Sequence, residues 1–492
     1  MLTADITIST QFHRGPVDRR LFGSFVEHMG RCVYTGIYEP GHPGADPYGF
    51  RTDVADLVRE LGTTLVRYPG GNFVSGYRWE DGVGPVADRP RTIDLAWRGI
   101  EPNEVGTDEF LGWARRGGLI PMMAVNLGTR GVQDAANLVE YCNVEGGTRW
   151  SDLRRSYGTP EPHRVPLWCL GNEMDGPWQT GHTSATEYGR LAREAGKAMK
   201  MIDPEIEVVV CGSSHRHMPT FGYWEADVLE QAYDVADYVS LHAYYLNDGE
   251  RAGYLGSGAA LDGFIRDVVA TADAVGARLG RSKKINLSCD EWNVWTRDPV
   301  VDISARELDV AVPITEHVYT PLDAVVVGDL LVALLNNADR VKIGCLSLLV
   351  NVSAPILTEV GGAARRQTIF YPTALAARLA HGLSLRTVVS CPEVATVRHG
   401  DVPAVAVAAT YDEETEELAV FVTNRSNEPA EVRLAQAGPG RLAVLDGWTL
   451  TAAGSGEPGA FTAHAADDAS ATILRLAPES WTALRMERKD TV

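Results

Sequence analysis

The chain has 492 residues with 45 Lys plus Arg against 65 Asp plus Glu, a formal charge of −20 at pH 7. A field of that sign repels phosphate backbones and anionic lipid, so nucleic acid and membrane surfaces are excluded as partners and a neutral ligand fits. The composition, 45% apolar and 22% charged, is that of a globular protein with a sizeable core, and the length points to two domains, one of them large.

Met1 to Thr10 contain no basic stretch followed by an apolar segment, and no window reaches the roughly 18 consecutive apolar residues of a membrane span. A soluble, cytoplasmic protein is expected. The seven cysteines form no CxxC pair, and Cys169, Cys211, Cys289 and Cys345 lie in or beside runs of buried-strand character. Reduced core thiols are therefore expected, without a structural zinc site.

In chain order, residues 1–12 alternate apolar Ile6 and Ile8 with polar neighbours, which predicts a strand. Eight short runs rich in β-branched or apolar residues follow: Leu21–Glu27, Thr64–Tyr68, Pro121–Asn126, Pro166–Glu173, Glu207–Gly212, Tyr238–His242, Ile285–Glu291 and Val341–Leu349. Between them lie segments of helical period, such as Ser184–Met201 and Asp262–Leu279. Strand and helix in alternation predict parallel βαβ units, and eight of them predict a closed (β/α)8 TIM barrel, an α/β fold, over residues 13–378. Beyond about Leu385 the runs become short and are broken by Gly, Pro, Asn and Asp, as in Ala404–Ala409, Leu418–Thr423 and Thr472–Leu476. This predicts a C-terminal antiparallel β-sandwich domain over 379–492, joined by the N-terminal strand 1–12. The Gly/Ala/Ser-rich stretch Ala452–Ala471 reads as a long turn or mobile loop.

A barrel of this kind carries its site at the C-terminal ends of the strands. Strand one ends in Glu27-His28, and strand two runs into Arg67-Tyr68-Pro69-Gly70-Gly71-Asn72. Strand four ends in Asn172-Glu173, strand six in His242-Ala243-Tyr244 and strand seven in Asp290-Glu291. Glu173 and Glu291 follow segments that bury their backbones, on strands that face each other across the mouth. Glycoside hydrolysis needs such a pair, one carboxylic acid to protonate the leaving oxygen and one carboxylate on the other side of the reacting carbon. A separation of about 5 to 5.5 Å retains configuration, whereas about 6.5 to 9.5 Å admits a water and inverts it.

Asn172 is placed to hydrogen-bond a sugar hydroxyl, and Tyr244 to hold the nucleophile. Trp97, Trp178, Trp292 and Trp295 offer flat apolar faces for sugar rings. The Pro69 to Asn72 turn lacks the Lys and Ser/Thr of a phosphate loop and reads as a tight turn presenting Asn72 to a neutral ligand. His28, His242 and Glu291 form a conceivable metal set, and His215 and His217 an HxH pair. No HExxH spacing occurs and no acid flanks that pair, so no catalytic metal is expected.

These strings resemble the α-L-arabinofuranosidases of glycoside hydrolase family 51. The resemblance is carried by Phe25-Val26-Glu27-His28-Met29-Gly30-Arg31, Gly36-Ile37-Tyr38-Glu39-Pro40, Arg67 to Asn72, Leu95-Ala96-Trp97, Ile100-Glu101-Pro102-Asn103, Trp168 to Gln179, and Asp290 to Trp295, and it spans Phe22 to Pro372. It implies a barrel with a β-sandwich, no cofactor, a homo-oligomer that is often a hexamer, and a retaining double displacement. Glu173 then corresponds to the acid/base, Glu291 to the nucleophile, Glu27, Asn72 and Asn172 to binders of furanose hydroxyls, and Tyr244 to the tyrosine that supports the nucleophile.

One position departs. Where the family typically reads Ala-Gln-Leu-Val-Asn-Val on strand eight, this chain has Ser347-Leu348-Leu349-Val350-Asn351-Val352. Leu348 can neither donate nor accept, so an altered preference at the exocyclic end of the sugar, such as β-D-galactofuranoside cleavage, stands beside exo-acting arabinofuranosidase activity on small oligosaccharides. Two other classes remain open at this level, a non-catalytic sugar-binding protein and a metal-dependent hydrolase.

Overall fold

The computed structural model describes residues 1–296, 308–437, 441–465 and 471–489. Eight parallel strands close into a barrel: strand one Gly23–Phe25, two Leu65–Tyr68, three Ile120–Val125, four Leu167–Leu170, five Glu207–Val210, six Tyr238–Leu246, seven Asn286–Trp295 and eight Val341–Leu346. Each coincides with one of the eight predicted runs. Helices on the outside link them, among them Ala185–Ile202, capped at Ser184, whose Oγ accepts from the Glu187 amide, and Ser257–Arg278.

The differences from the expected boundaries have local causes. Strand four ends three residues early because Gly171 takes φ +91°, a conformation open to glycine, so Asn172 and Glu173 stand on a turn. Strands six and seven run longer than expected because they pair with each other up to Trp295 and Leu246. Pairing along strand seven slips between Ser288 and Glu291, and on its other side between Cys289 and Trp292. That bulge lets the consecutive Asp290 and Glu291 both turn inward.

The second unit is a ten-stranded sheet. The strand Leu2–Pro16 lies inside it, antiparallel to Leu383–Ser390 and parallel to Ala430–Gln436, so the sheet carries one parallel pair among antiparallel ones. The sheet closes over on itself as a sandwich: Thr472 Oγ1 of one flank donates to the Leu442 carbonyl of the other, around a core of Ile6, Val407, Val420, Val432, Leu474 and Leu484. Within Ala452–Ala471, Gly459–Ala460 and His464–Ala465 form short strands, and residues 466–470 lie outside the described residues.

The helix Pro321–Asn336 is apolar nearly all round because it is covered on both sides, by the barrel and by the sheet. Its buried Asp329 accepts both arms of Arg425 at 2.9 and 3.0 Å, which fixes the sheet against it. All seven cysteines are free, and six of them are buried. Among the described residues no helix is long and apolar enough to cross a membrane.

Candidate active site

Two carboxylates face each other across the barrel mouth. Glu173 and Glu291 approach so closely that ligating atoms of the two, together with one of His242, all lie within 4.8 Å of one another. Each carboxylate has its own donors. Glu291, at the bulge of strand seven, accepts from Arg67 Nη1 on Oε1 at 2.7 Å and from the Tyr244 hydroxyl on Oε2 at 2.8 Å. Since Tyr244 gives its hydrogen to Glu291, the Ser347 hydroxyl 2.6 Å away is the donor to Tyr244. Glu173 accepts from His242 Nδ1 on Oε1 at 2.9 Å and from the Trp178 indole on Oε2 at 2.6 Å.

Arg67 ties the mouth together. Its second arm donates to Asn172 Oδ1 at 2.7 Å, and Asn172 Nδ2 in turn donates to Asn72 Oδ1 at 3.1 Å. With Oδ1 occupied by the guanidinium, the Asn172 amide is oriented with its N–H groups towards the mouth. His242 stands between acids, with Nε2 3.3 Å from Asp290 and Nδ1 3.5 Å from Glu291 as well as beside Glu173. Burial alone would discharge this imidazole, but Glu291, Asp290 and Glu173 outweigh it and hold its pKa well above the ordinary value. For Asp290 burial acts upward, and Arg67 with His242 overcomes it, so this carboxyl lies below its usual range.

Glu27 closes the strand-one side. Its Oε1 accepts from the Phe73 amide and from the Trp97 indole, both at 2.9 Å. Gly70 and Gly71 press against it so tightly that a Cβ on either would stand 2.7 or 2.6 Å from the Glu27 side chain, so only glycine fits this turn. Burial, followed by the charge of Glu291, pushes the Glu27 pKa up to about 8.

Of the sequence-predicted residues, Glu173, Glu291, Glu27, Asn72, Asn172, Tyr244, Trp97 and Trp178 come together around this one mouth. Others do not. Trp292 is 1% exposed and belongs to the core, so it offers no face to a sugar, whereas Trp295 stacks on Tyr244 at 4.3 Å. Leu348 is 5% exposed and packs in the apolar core; the polar group that strand eight brings to the site is the neighbouring Ser347. His28 is no partner of His242 and Glu291: its ring engages Glu101 and the Tyr68 hydroxyl, each at 2.7 Å.

Glu173, His242 and Glu291 are the one group among the described residues spaced to hold a metal ion. Their oxygens already face the N–H and O–H donors of Arg67, Tyr244 and Trp178, and His242, whose pKa the carboxylates hold well above its ordinary value, bonds Glu173 through Nδ1, so the set is filled by the protein's own donors. Sequence reasoning singled out no site role for Arg67, Asp290 and Ser347, and weighed His242 as a metal ligand only. The signal was present as a charged or polar residue inside an otherwise apolar strand, since burial of Arg67 in Leu65-Val66-Arg67-Tyr68 demands buried acids to receive it.

An eight-stranded parallel barrel with this carboxylate pair at its mouth defines a glycoside hydrolase. Profiles described as Alpha-L-arabinofuranosidase 1 domain and Alpha-L-arabinofuranosidase C-terminal domain match residues 57–254 and 290–466. The chain is 54% identical to the intracellular exo-alpha-(1->5)-L-arabinofuranosidase of Halalkalibacterium halodurans, over 86% of this chain and 85% of that protein. It is 51% identical to an exo-alpha-(1->6)-L-arabinofuranosidase of Bifidobacterium longum, over 86% of this chain and 83% of the relative. The solved structure of a family 51 α-L-arabinofuranosidase from Bifidobacterium longum superposes with a TM-score of 0.93 at 41% identity, covering 98% of this chain and 99% of that one. The chain belongs to the α-L-arabinofuranosidases of glycoside hydrolase family 51.

Proposed function

We propose that the chain is a retaining, exo-acting α-L-arabinofuranosidase, with Glu291 as nucleophile and Glu173 as general acid/base. The observation that carries this reading is the close approach of the two carboxylates, an oxygen of each within 4.8 Å of the other, which agrees with the short separation of a retaining pair rather than the wider one of an inverting pair. Glu291 attacks the anomeric carbon while Glu173 gives its proton to the departing glycosidic oxygen. Glu173 then takes a proton from a water that attacks the anomeric carbon of the glycosyl ester and frees Glu291. Both steps invert, so configuration is retained, and the two carboxyls, the sugar and water supply every atom. Arg67 and Tyr244 aim Glu291, Trp178 and His242 orient Glu173, and Asn172, Asn72 and Glu27 with Trp97 face the furanose hydroxyls.

All these side chains stand on the barrel, which supports a division into a catalytic unit, 13–378, and an accessory one, 379–492 with strand 1–12. The substrate is a furanoside or small oligosaccharide. An intracellular location is supported by the names of several relatives. A homo-oligomer, a hexamer by family resemblance, belongs to the same reading and is tested by light scattering.

The experiment is hydrolysis of aryl α-L-arabinofuranoside beside aryl β-D-galactofuranoside by wild type and Glu291→Ala, with the first-formed anomer followed by NMR. Arabinofuranoside cleavage with retention, lost in the variant, is expected. The galactofuranoside alternative draws no support from the relatives; a preference for that substrate would restore it, and inactivity of the wild type on both would leave the non-catalytic sugar-binding reading.

A further inference from the structure

A groove of about 1380 Å³ runs from strand six along the barrel flank to the second sheet. Strand five ends at Val210 while strand six continues to Leu246, and the end of strand six and the segment His215–His217 border the groove. His242 and Tyr244, which bond Glu173 and Glu291, line its inner end. At its far end stands the hairpin formed by Glu393–Thr396 and Gly400–Pro403 of the second unit.

We propose that this groove binds the aglycone of an oligosaccharide substrate, with the hairpin as its outer wall; this rests on the reading given under the proposed function. The leaving group departs from the side of Glu173, the residue that protonates its oxygen. On that side Trp178, 49% exposed and bonded to Glu173, lies parallel to His215 with ring centres 6.2 Å apart, and His215 lines the groove. The volume exceeds the roughly 300–1,000 Å³ of clefts for drug-sized ligands, as several sugar units need. Its arginines are matched by acids, Arg216 by Asp267, Arg266 by Asp262, Arg398 by Asp248 and Arg425 by Asp329, which suits a neutral ligand over an anionic one. Arg398 also donates to the Leu246 carbonyl at 3.1 Å, seating the hairpin on the end of strand six. Beside it the half-buried His399 lines the groove, within reach of a sugar hydroxyl.

The test compares wild type, His399→Ala and the groove-filling Ala260→Trp on an aryl α-L-arabinofuranoside and on 1,5-linked arabino-oligosaccharides of increasing length, with thermal unfolding as a check on folding. Both variants are expected to keep wild-type kcat/KM on the aryl substrate. On the longer oligosaccharides His399→Ala should lose about two- to tenfold, the worth of one hydrogen bond, mainly through KM, and Ala260→Trp should lose more. Equal effects on short and long substrates, or none on either, would overturn the groove assignment and leave the catalytic reading intact. A wild type inactive on every arabinofuranoside would overturn both.

Discussion

Replacing Glu27 by glutamine tests whether this carboxyl is held neutral by the fold. Glu27 is 2% exposed, and burial with the neighbouring Glu291 raises its pKa from an ordinary 4.5 to about 8. At about 1.4 kcal/mol per pH unit, that interval amounts to about 5 kcal/mol. The sign follows from proton counting. Between pH 4.5 and 8 the folded chain keeps a proton that the unfolded chain has released, so rising pH favours unfolding. The stabilisation is complete below pH 4.5 and is lost as pH rises to about 8. The glutamine amide has the same shape, can still accept from the Phe73 amide and the Trp97 indole, and carries no titration. Urea unfolding of wild type and Glu27→Gln from about pH 4 to about pH 9 should therefore show the variant gaining on the wild type with rising pH, by up to about 5 kcal/mol, and then levelling off. A stability difference that stays constant over this range would refute the reasoning.

The other substitutions act on the reaction itself or on the wall beside it. Glu173→Ala should lower kcat/KM on oligosaccharides by about 10²- to 10⁴-fold, but much less on an aryl glycoside whose leaving group departs without a proton; equal losses would argue against its role as the acid. Tyr244→Phe removes a hydrogen bond to an ionised carboxylate, worth about 1.5–3 kcal/mol, so a fall in kcat of roughly 10- to 150-fold is expected in steady-state assays. Leu348→Gln places an amide in the apolar core and should cost about 1–3 kcal/mol in urea unfolding; unchanged stability with a gain in arabinofuranosidase rate would show instead that the amide reaches the sugar.

Much of this was legible along the chain because it follows from short-range pattern. The period of two in the strands and of three to four in the helices is imposed by backbone geometry, so the eight runs, their order and the barrel they close could be counted in advance. The Asn172-Glu173 and Asp290-Glu291 pairs stood out because each follows a segment whose burial is obligatory. The ends of the strands were less legible. Strand four stops at the positive φ of Gly171, and strand seven carries a bulge that no periodicity announces.

What the residues by themselves determined, then, was the fold class and the two carboxylates, since both are written in local spacing. Only the tertiary structure decided who serves them. Arg67, His242, Asp290 and Ser347 come from or directly follow four different strands, and their roles arise from short distances between groups far apart in the chain, 224 positions for Arg67 and Glu291 and 103 for Tyr244 and Ser347. The same is true of Trp292 and Leu348, which composition would offer to a ligand and packing assigns to the core. Burial is a property of the whole assembly, and it settles both which polar groups must find each other and which apolar ones are left for the substrate.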